Sequence, residues 1–230
     1  MTEKNEKTYM RILAIGAHAD DVEVSVGGTI AKLRESNHKV QLLVHVIPCE
    51  DINGNSCVEK KSQRLKYQQN AAKILDVGAK ILDLDPHTLQ YNRKLVQGID
   101  KTIREFKPNL IFTHWSGDSH QDHKAIANAT FSAARKNDIS VLLYEQLTLG
   151  GITPFSFKNH VYVDISSVIE TKIKSVRAYK FLSDGDIEAV YSLARFRGNQ
   201  IGVKYAECFE VCKAIAHVDE SGLAITGFND

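Results

Sequence analysis

Residues 10–24 read MRILAIGAHADDVEV, and the change of character half-way along them decides the fold. From Met10 to Ala17 the run is almost wholly apolar and short, the pattern of a strand buried on both faces. At His18 it turns polar, with Asp20, Asp21 and Glu23 close behind. A turn needs only one or two polar residues to satisfy its backbone, so this crowding asks for a second explanation. Beyond it, GGTIAKLRESN (27–37) continues as a helix with Val26, Ile30 and Leu33 on one side. The unit is a strand, a charged turn and a helix.

Working outward, the unit recurs. KVQLLVHVI (39–47) is a second apolar strand, 48–58 a polar loop containing INGNS, 59–76 a helix, and AKILDLD (79–85) a third strand. Leu95, Ile99, Ile103 and Phe106 mark one helical face that Pro108 closes, and NLIFTH (109–114) forms a fourth strand. DHKAIANATFSAARKN then precedes ISVLLYE (139–145), a fifth. Repeated strand-to-helix crossovers with near-continuous apolar strands predict a three-layer, Rossmann-like α/β domain, its mostly parallel sheet covered by helices on both faces. After Glu145 the pattern loosens: QLTLGGITPFSF is rich in turn residues, HVYVDIS (160–166) reads as an edge strand and 167–182 as an amphipathic helix. Residues 1–9 read as a polar extension and 10–230 as a single domain.

Composition narrows the function. A net charge of +1 with 25% charged residues lacks the basic excess of a nucleic-acid binder, so the expected partner is a small molecule. Cys49, Cys57, Cys208 and Cys212 form neither a zinc ribbon nor a disulfide scaffold and read as reduced thiols. The polar first nine residues lack a signal-peptide core, and no run approaches the ~20 apolar residues of a membrane span, which predicts a cytoplasmic address. Homo-oligomerisation stays open.

In open parallel sheets, ligands gather at the carboxyl ends of strands, near the point where strand order reverses. His18 sits at such an end, and so does HWSGDSHQDHKAI, which places His114, Asp118, His120, Asp122 and His123 after the fourth strand. If the first and fourth strands are neighbours, the two clusters share one crevice. A catalytic zinc site keeps three protein ligands and one open position. His18 and Asp21, spaced H-x-x-D, can face one way on a single turn, and His123 can supply the third ligand from across the crevice. Asp20 then remains to take a proton from a metal-bound water, whose pKa the ion lowers towards ~7. His120, three residues before His123, can approach the substrate's carbonyl oxygen or leaving group in protonated form, and Asp122 can hold an imidazole or cap the helix. The plainer reading, acids attracted to a helix start, explains the carboxylates and leaves His18 unexplained.

These residues resemble the N-acetylglucosaminyl-phosphatidylinositol de-N-acetylase family, also called PIG-L or LmbE-like. Its first motif, AHPDDxE, is similar to Ala17-His18-Ala19-Asp20-Asp21-Val22-Glu23; its H-x-D-H matches His120-Gln121-Asp122-His123. A tail pattern RGxxxGxxYAE matches Arg197-Gly198, Gly202 and Tyr205-Ala206-Glu207. The resemblance covers roughly 11–211 and implies zinc ligands at His18, Asp21 and His123, with iron(II) also compatible with these ligands. It further implies Asp20 as general base, His120 as the group stabilising the tetrahedral intermediate or protonating the amine, and Asp122 as the residue orienting His120. The activity implied is removal of an acetyl group from an N-acetylglucosamine-type conjugate. Two alternatives stay open: an amidase acting on a larger acyl or thiol conjugate, and an inactive sugar- or nucleotide-binding module.

The sequence also departs from that family. Ala19 stands where proline is usual, which removes a fixed φ and no chemical group. In helix 59–76 the R-x-x-E pattern keeps Arg64, a candidate contact for sugar hydroxyls, and has Tyr67 in place of the glutamate. The usual Pro-Asp pair is reversed as Asp85-Pro86, as a strand-end turn would also give, and Arg197 and Tyr205 read as packing residues.

Overall fold

The computed structural model describes residues 9–47, 60–147, 155–219 and 222–225. The polar start, the loop 48–58 with Cys49 and Cys57, and most of the turn-rich stretch after Gln146 lie outside the described residues. The elements run β1 (Arg11–His18), α1 (Asp21–Glu35), β2 (Lys39–Val46), α2 (Lys61–Ile74), β3 (Gly78–Ile81), α3 (Arg93–Phe106), β4 (Leu110–His114), α4 (Gln121–Ala134) and β5 (Ser140–Tyr144). They continue as β6 (Val161–Asp164), α5 (Ile169–Val176), α6 (Asp184–Ile201), β7 (Ala206–Lys213) and the hairpin β8 (Ala216–Asp219) and β9 (Gly222–Ile225).

A seven-stranded sheet has the order β3-β2-β1-β4-β5-β7-β6. Its first five strands are parallel, while β7 runs antiparallel to both β5 and β6. The mostly parallel, three-layer expectation therefore holds. Strand order reverses between β1 and β4, which pair from Ile12↔Leu110 to Ala14↔Phe112. This adjacency is the one the site required.

β1 shows why the sheet is covered on both faces. Ile12 and Ala14 enter a core shared with α1, α5 and α6, whereas Leu13, Ile15 and Ala17 enter a second core shared with α3 and α4. Alternate side chains point to opposite faces, so an apolar residue at every position needs a helix layer on each side.

Helix boundaries depart from expectation at the first turn and again in the C-terminal third. Helix α1 starts at Asp21, so the charged turn and the helix abut without the spacer that starting at Gly27 would have left. The stretch 167–182 forms only the short α5, and a longer helix, α6, follows. Its start is marked by a reciprocal cap between Ser183 and Asp186 and its end by Gly202 at φ 77°. β6 is an edge strand as expected, but β7 inserts between it and β5.

The tail motif explains how these pieces lock. Arg197 Nε and Nη2 donate to the two oxygens of Glu145 at 2.6 and 2.5 Å. A Cβ on Gly198 would meet Val203 O at 2.7 Å, so glycine is required there. Glu207 reaches across to α1, where its oxygens accept the amides of Gly28 and Thr29 at 2.8 and 2.7 Å, and it pairs with Lys172 at 2.5 Å. Tyr205 contributes its backbone, accepting Ile165 N–H at 3.0 Å. Cys208 and Cys212 are free thiols. No helix among the described residues is long and apolar enough to cross a membrane.

Candidate functional site

The two polar turns meet at the carboxyl ends of β1 and β4. Ala17 N–H donates to His114 Nε2 across the strand pair at 3.0 Å, tying the loops together. Asp20 occupies the N-cap of α1 at φ 97°, outside the well that non-glycine residues normally visit, and its side chain makes no capping bond. Strain of this kind costs of order 1–3 kcal/mol and persists only where the surroundings impose it. The helix-start explanation therefore accounts for Asp20's position and not for its carboxylate.

Asp21 turns back from the first helical position. Its Oδ2 accepts His18 N–H at 2.7 Å and lies 3.6 Å from His18 Nδ1. Its Oδ1 lies 3.4 Å from His123 Nε2, and the rings of His18 and His123 are 5.5 Å apart. His18, Asp21 and His123, predicted as a triple from residues more than a hundred positions apart, are thus brought together. Donor atoms lie mutually within 4.8 Å in two triples that differ from the predicted one, His18, His120 and His123, and Asp21, His114 and His123. His123 belongs to both.

His120 is the N-cap of α4, accepting Asp122 N–H on Nδ1 at 3.1 Å. Its remaining hydrogen therefore sits on Nε2, leaving a donor directed away from the helix. The Asp122 carboxylate hydrogen-bonds elsewhere: its Oδ2 lies 2.9 Å from His18 Nε2, so it orients His18, while its hydrogen bond to His120 is made by the Asp122 amide. With Nε2–H so engaged, the lone pair of His18 lies on Nδ1. Arg64 stands on α2 with its guanidinium over the Phe181 ring at 4.5 Å, and its charge acts on the Asp20 carboxyl. Asp85 caps a single 3-10 turn by accepting His87 N–H at 3.0 Å.

Two residues escaped the sequence reading, and a third, Asp118, stood in the predicted cluster without a role. Gln146, just past β5, donates to Asp21 Oδ1 at 3.2 Å. Asp118 accepts His120 N–H at 2.8 Å and lies 2.9 Å from His123 Nδ1. Gln68 donates to the buried Glu23 at 2.8 Å. Asp118 carried a signal, its place in the histidine cluster; the two glutamines carried none, because their partners are remote in the chain.

Burial and charge set the proton affinities. Burial, reinforced by Asp21 and Glu23, raises the Asp20 carboxyl well above its ordinary range. Burial acts on Asp21 in the same direction, yet His123 and His114 hold it well below. His123 loses basicity by burial and regains more from Asp21 and Asp118, reaching about 10. The basicity of His120 is lowered by burial and then by His123 and His18. Burial also drives His114 down to about 4.

The family model described as GlcNAc-PI de-N-acetylase, PIG-L, matches residues 13–134, a stretch that takes in both histidine-bearing turns. The chain belongs to the PIG-L family. Diacetylchitobiose deacetylase of Thermococcus kodakarensis is 26% identical over 220 residues, covering 86% of this chain and 81% of that protein. The N,N'-diacetylchitobiose deacetylase of Pyrococcus horikoshii, solved with an inhibitor, shares the fold at TM-score 0.73 and 22% identity, over 89% of this chain and 84% of its own. GalB of Pseudomonas putida, a 4-carboxy-2-hydroxymuconate hydratase, shares it at TM-score 0.79 and 15% identity, over 91% and 99%. The PIG-L fold therefore also carries a hydratase, and the fold by itself does not name a reaction. The chain is an N-deacetylase, on its PIG-L membership and its similarity to the Thermococcus kodakarensis deacetylase together.

Proposed function

We propose that this PIG-L protein hydrolyses the acetamide of an N-acetylglucosamine-type conjugate with the help of one divalent cation, zinc by preference, held by His18, Asp21 and His123. One observation carries the reading: the turns after β1 and β4 converge at the strand-order reversal and bring these three side chains together with Asp20 beside them. The donor set suits the ion, since two imidazoles and a carboxylate are the ligands zinc favours, and His18 presents Nδ1 because Asp122 occupies its Nε2. A cation bound there polarises the amide carbonyl and lowers the pKa of a water ligand.

The chain's residues do the rest. Asp20, free of capping duty, accepts in its ionised form the proton of the attacking water and keeps it for delivery to the departing amine. His120, expected from the sequence to act in protonated form, has its basicity lowered by burial and by His123 and His18, and it donates Nε2–H to the oxygen that gains charge as the tetrahedral intermediate forms. Arg64, at the Asp20 side, supplies hydrogen bonds to sugar hydroxyls. Residues 10–230 act as one domain on a small amino-sugar substrate. The naming of the Thermococcus kodakarensis relative makes diacetylchitobiose the first compound to offer.

The test is a mass-spectrometric screen of N-acetylglucosaminyl conjugates for loss of acetyl, with longer acyl analogues in parallel. Chelator should abolish acetate release and added zinc restore it. Asp20→Asn should retain the metal while kcat falls about 10²–10⁴-fold. A fully active, metal-loaded Asp20→Asn would remove Asp20 as the base.

A further inference from the structure

We infer that Asp118 is the residue that makes His123 a metal ligand, by fixing which of its two nitrogens carries the hydrogen. The inference rests on the proposed cation site.

Asp118 is buried in the loop between β4 and α4. The loop is held from outside the site. A Cβ on Gly117 would fall 2.3 Å from the Trp115 ring, so the indole lies directly on the glycine, and Phe157 packs edge-on against that indole at 5.8 Å. Asp118 N–H donates to Trp115 O at 3.3 Å, closing the turn. The carboxylate is thereby set in place before any ligand arrives.

Its two oxygens take two different hydrogens. Oδ1 accepts the backbone N–H of His120 at 2.8 Å, and Oδ2 meets His123 Nδ1 at 2.9 Å. A carboxylate only accepts, so the hydrogen between Oδ2 and the imidazole lies on Nδ1. In neutral His123 the lone pair is then confined to Nε2, the nitrogen that faces Asp21 at 3.4 Å. The same bond orients the ring and raises its basicity towards a cation, as carboxylates behind metal-bound histidines do. Because Oδ1 simultaneously anchors the residue that begins α4, one side chain aligns His123 as ligand and His120 as hydrogen-bond donor. Asp118 touches neither cation nor substrate, so its role is positioning.

The substitution that isolates this role is Asp118→Asn. Asparagine offers one acceptor oxygen where two N–H groups point, so either His120 N–H or His123 Nδ1–H is left facing an amide NH₂, with little change in volume. Asp118→Ala removes both acceptors. Zinc affinity is read by competition with a chelator of known affinity, with circular dichroism confirming that each variant is folded at the assay temperature. Expected is a 10–100-fold weaker Kd for both variants, in the range for loss of a carboxylate behind a metal-bound histidine. A purely structural Asp118 would lower the melting temperature and leave the Kd of the folded protein unchanged. A Kd within about twofold of wild type in folded Asp118→Asn and Asp118→Ala would overturn the inference while leaving the cation site standing. Wild-type protein that binds no zinc at all would overturn both.

Discussion

Glu207→Ala provides a quantitative test of how the C-terminal motif supports the fold. Glu207 and Lys172 are 4% and 3% exposed, and the carboxylate serves three donors: the Lys172 ammonium and the amides of Gly28 and Thr29. Truncation leaves an ammonium buried without a counter-charge, which costs about 3–5 kcal/mol, and the two orphaned amides are already part of that loss because the groups act as a unit. For a chain of this size the melting temperature should fall by about 6–20 °C. Urea unfolding followed by circular dichroism gives the free energy directly, with an unchanged m-value confirming that two-state behaviour survives. Lys172→Met combined with Glu207→Ala removes the stranded charge, so the double variant should be more stable than Glu207→Ala alone. If Glu207→Ala cost less than about 1 kcal/mol, or if the double variant were no better than the single, the carboxylate would not be the brace the geometry makes it.

Other consequences follow from single residues. His45 is fully buried, donates from Nδ1 to Gly16 O at 2.9 Å, and burial lowers its pKa from 6.5 to about 4. Between those values the unfolded chain binds a proton that the folded one refuses, so this contribution is whole above pH 6.5 and disappears as pH falls towards 4. The loss amounts to about 3 kcal/mol over the window, and His45→Gln should flatten the acid limb of stability against pH by that amount. An identical pH dependence in the variant would contradict the buried, neutral His45. Gly28→Ala places a Cβ 2.7 Å from Ile165 Cδ1 and 2.8 Å from its Cγ2. Overpacking should cost about 1–3 kcal/mol, against the roughly 1 kcal/mol that alanine gains in an open helix, and adding Ile165→Ala should recover part of it. A more stable Gly28→Ala would refute the close contact.

Much of the site was legible because its signals are local. The H-x-x-D spacing sets His18 and Asp21 on one turn, and H-x-D-H sets His120 and His123 at one helix start; each depends on backbone geometry over a few residues. The partner of each acid was not legible. Asp122 looks, from spacing, like the companion of His120, and its carboxylate instead reaches His18 across the crevice. Gln146 and Gln68 join the cluster from the segment after β5 and from α2, and nothing in their neighbours marks them. The reciprocal Ser183–Asp186 cap could have announced α6, whose weak apolar stripe hides it from periodicity.

The chain by itself determined that strands alternate with helices, that the sheet is sandwiched, and that two polar turns sit at strand ends, because each follows from short-range periodicity and turn chemistry. Tertiary structure alone decided that β1 lies beside β4, that β7 runs backwards between β5 and β6, and which carboxylate meets which imidazole. Those outcomes depend on pairings between segments distant in the chain, where many registers satisfy the local pattern equally and only the packing of the whole sheet selects one.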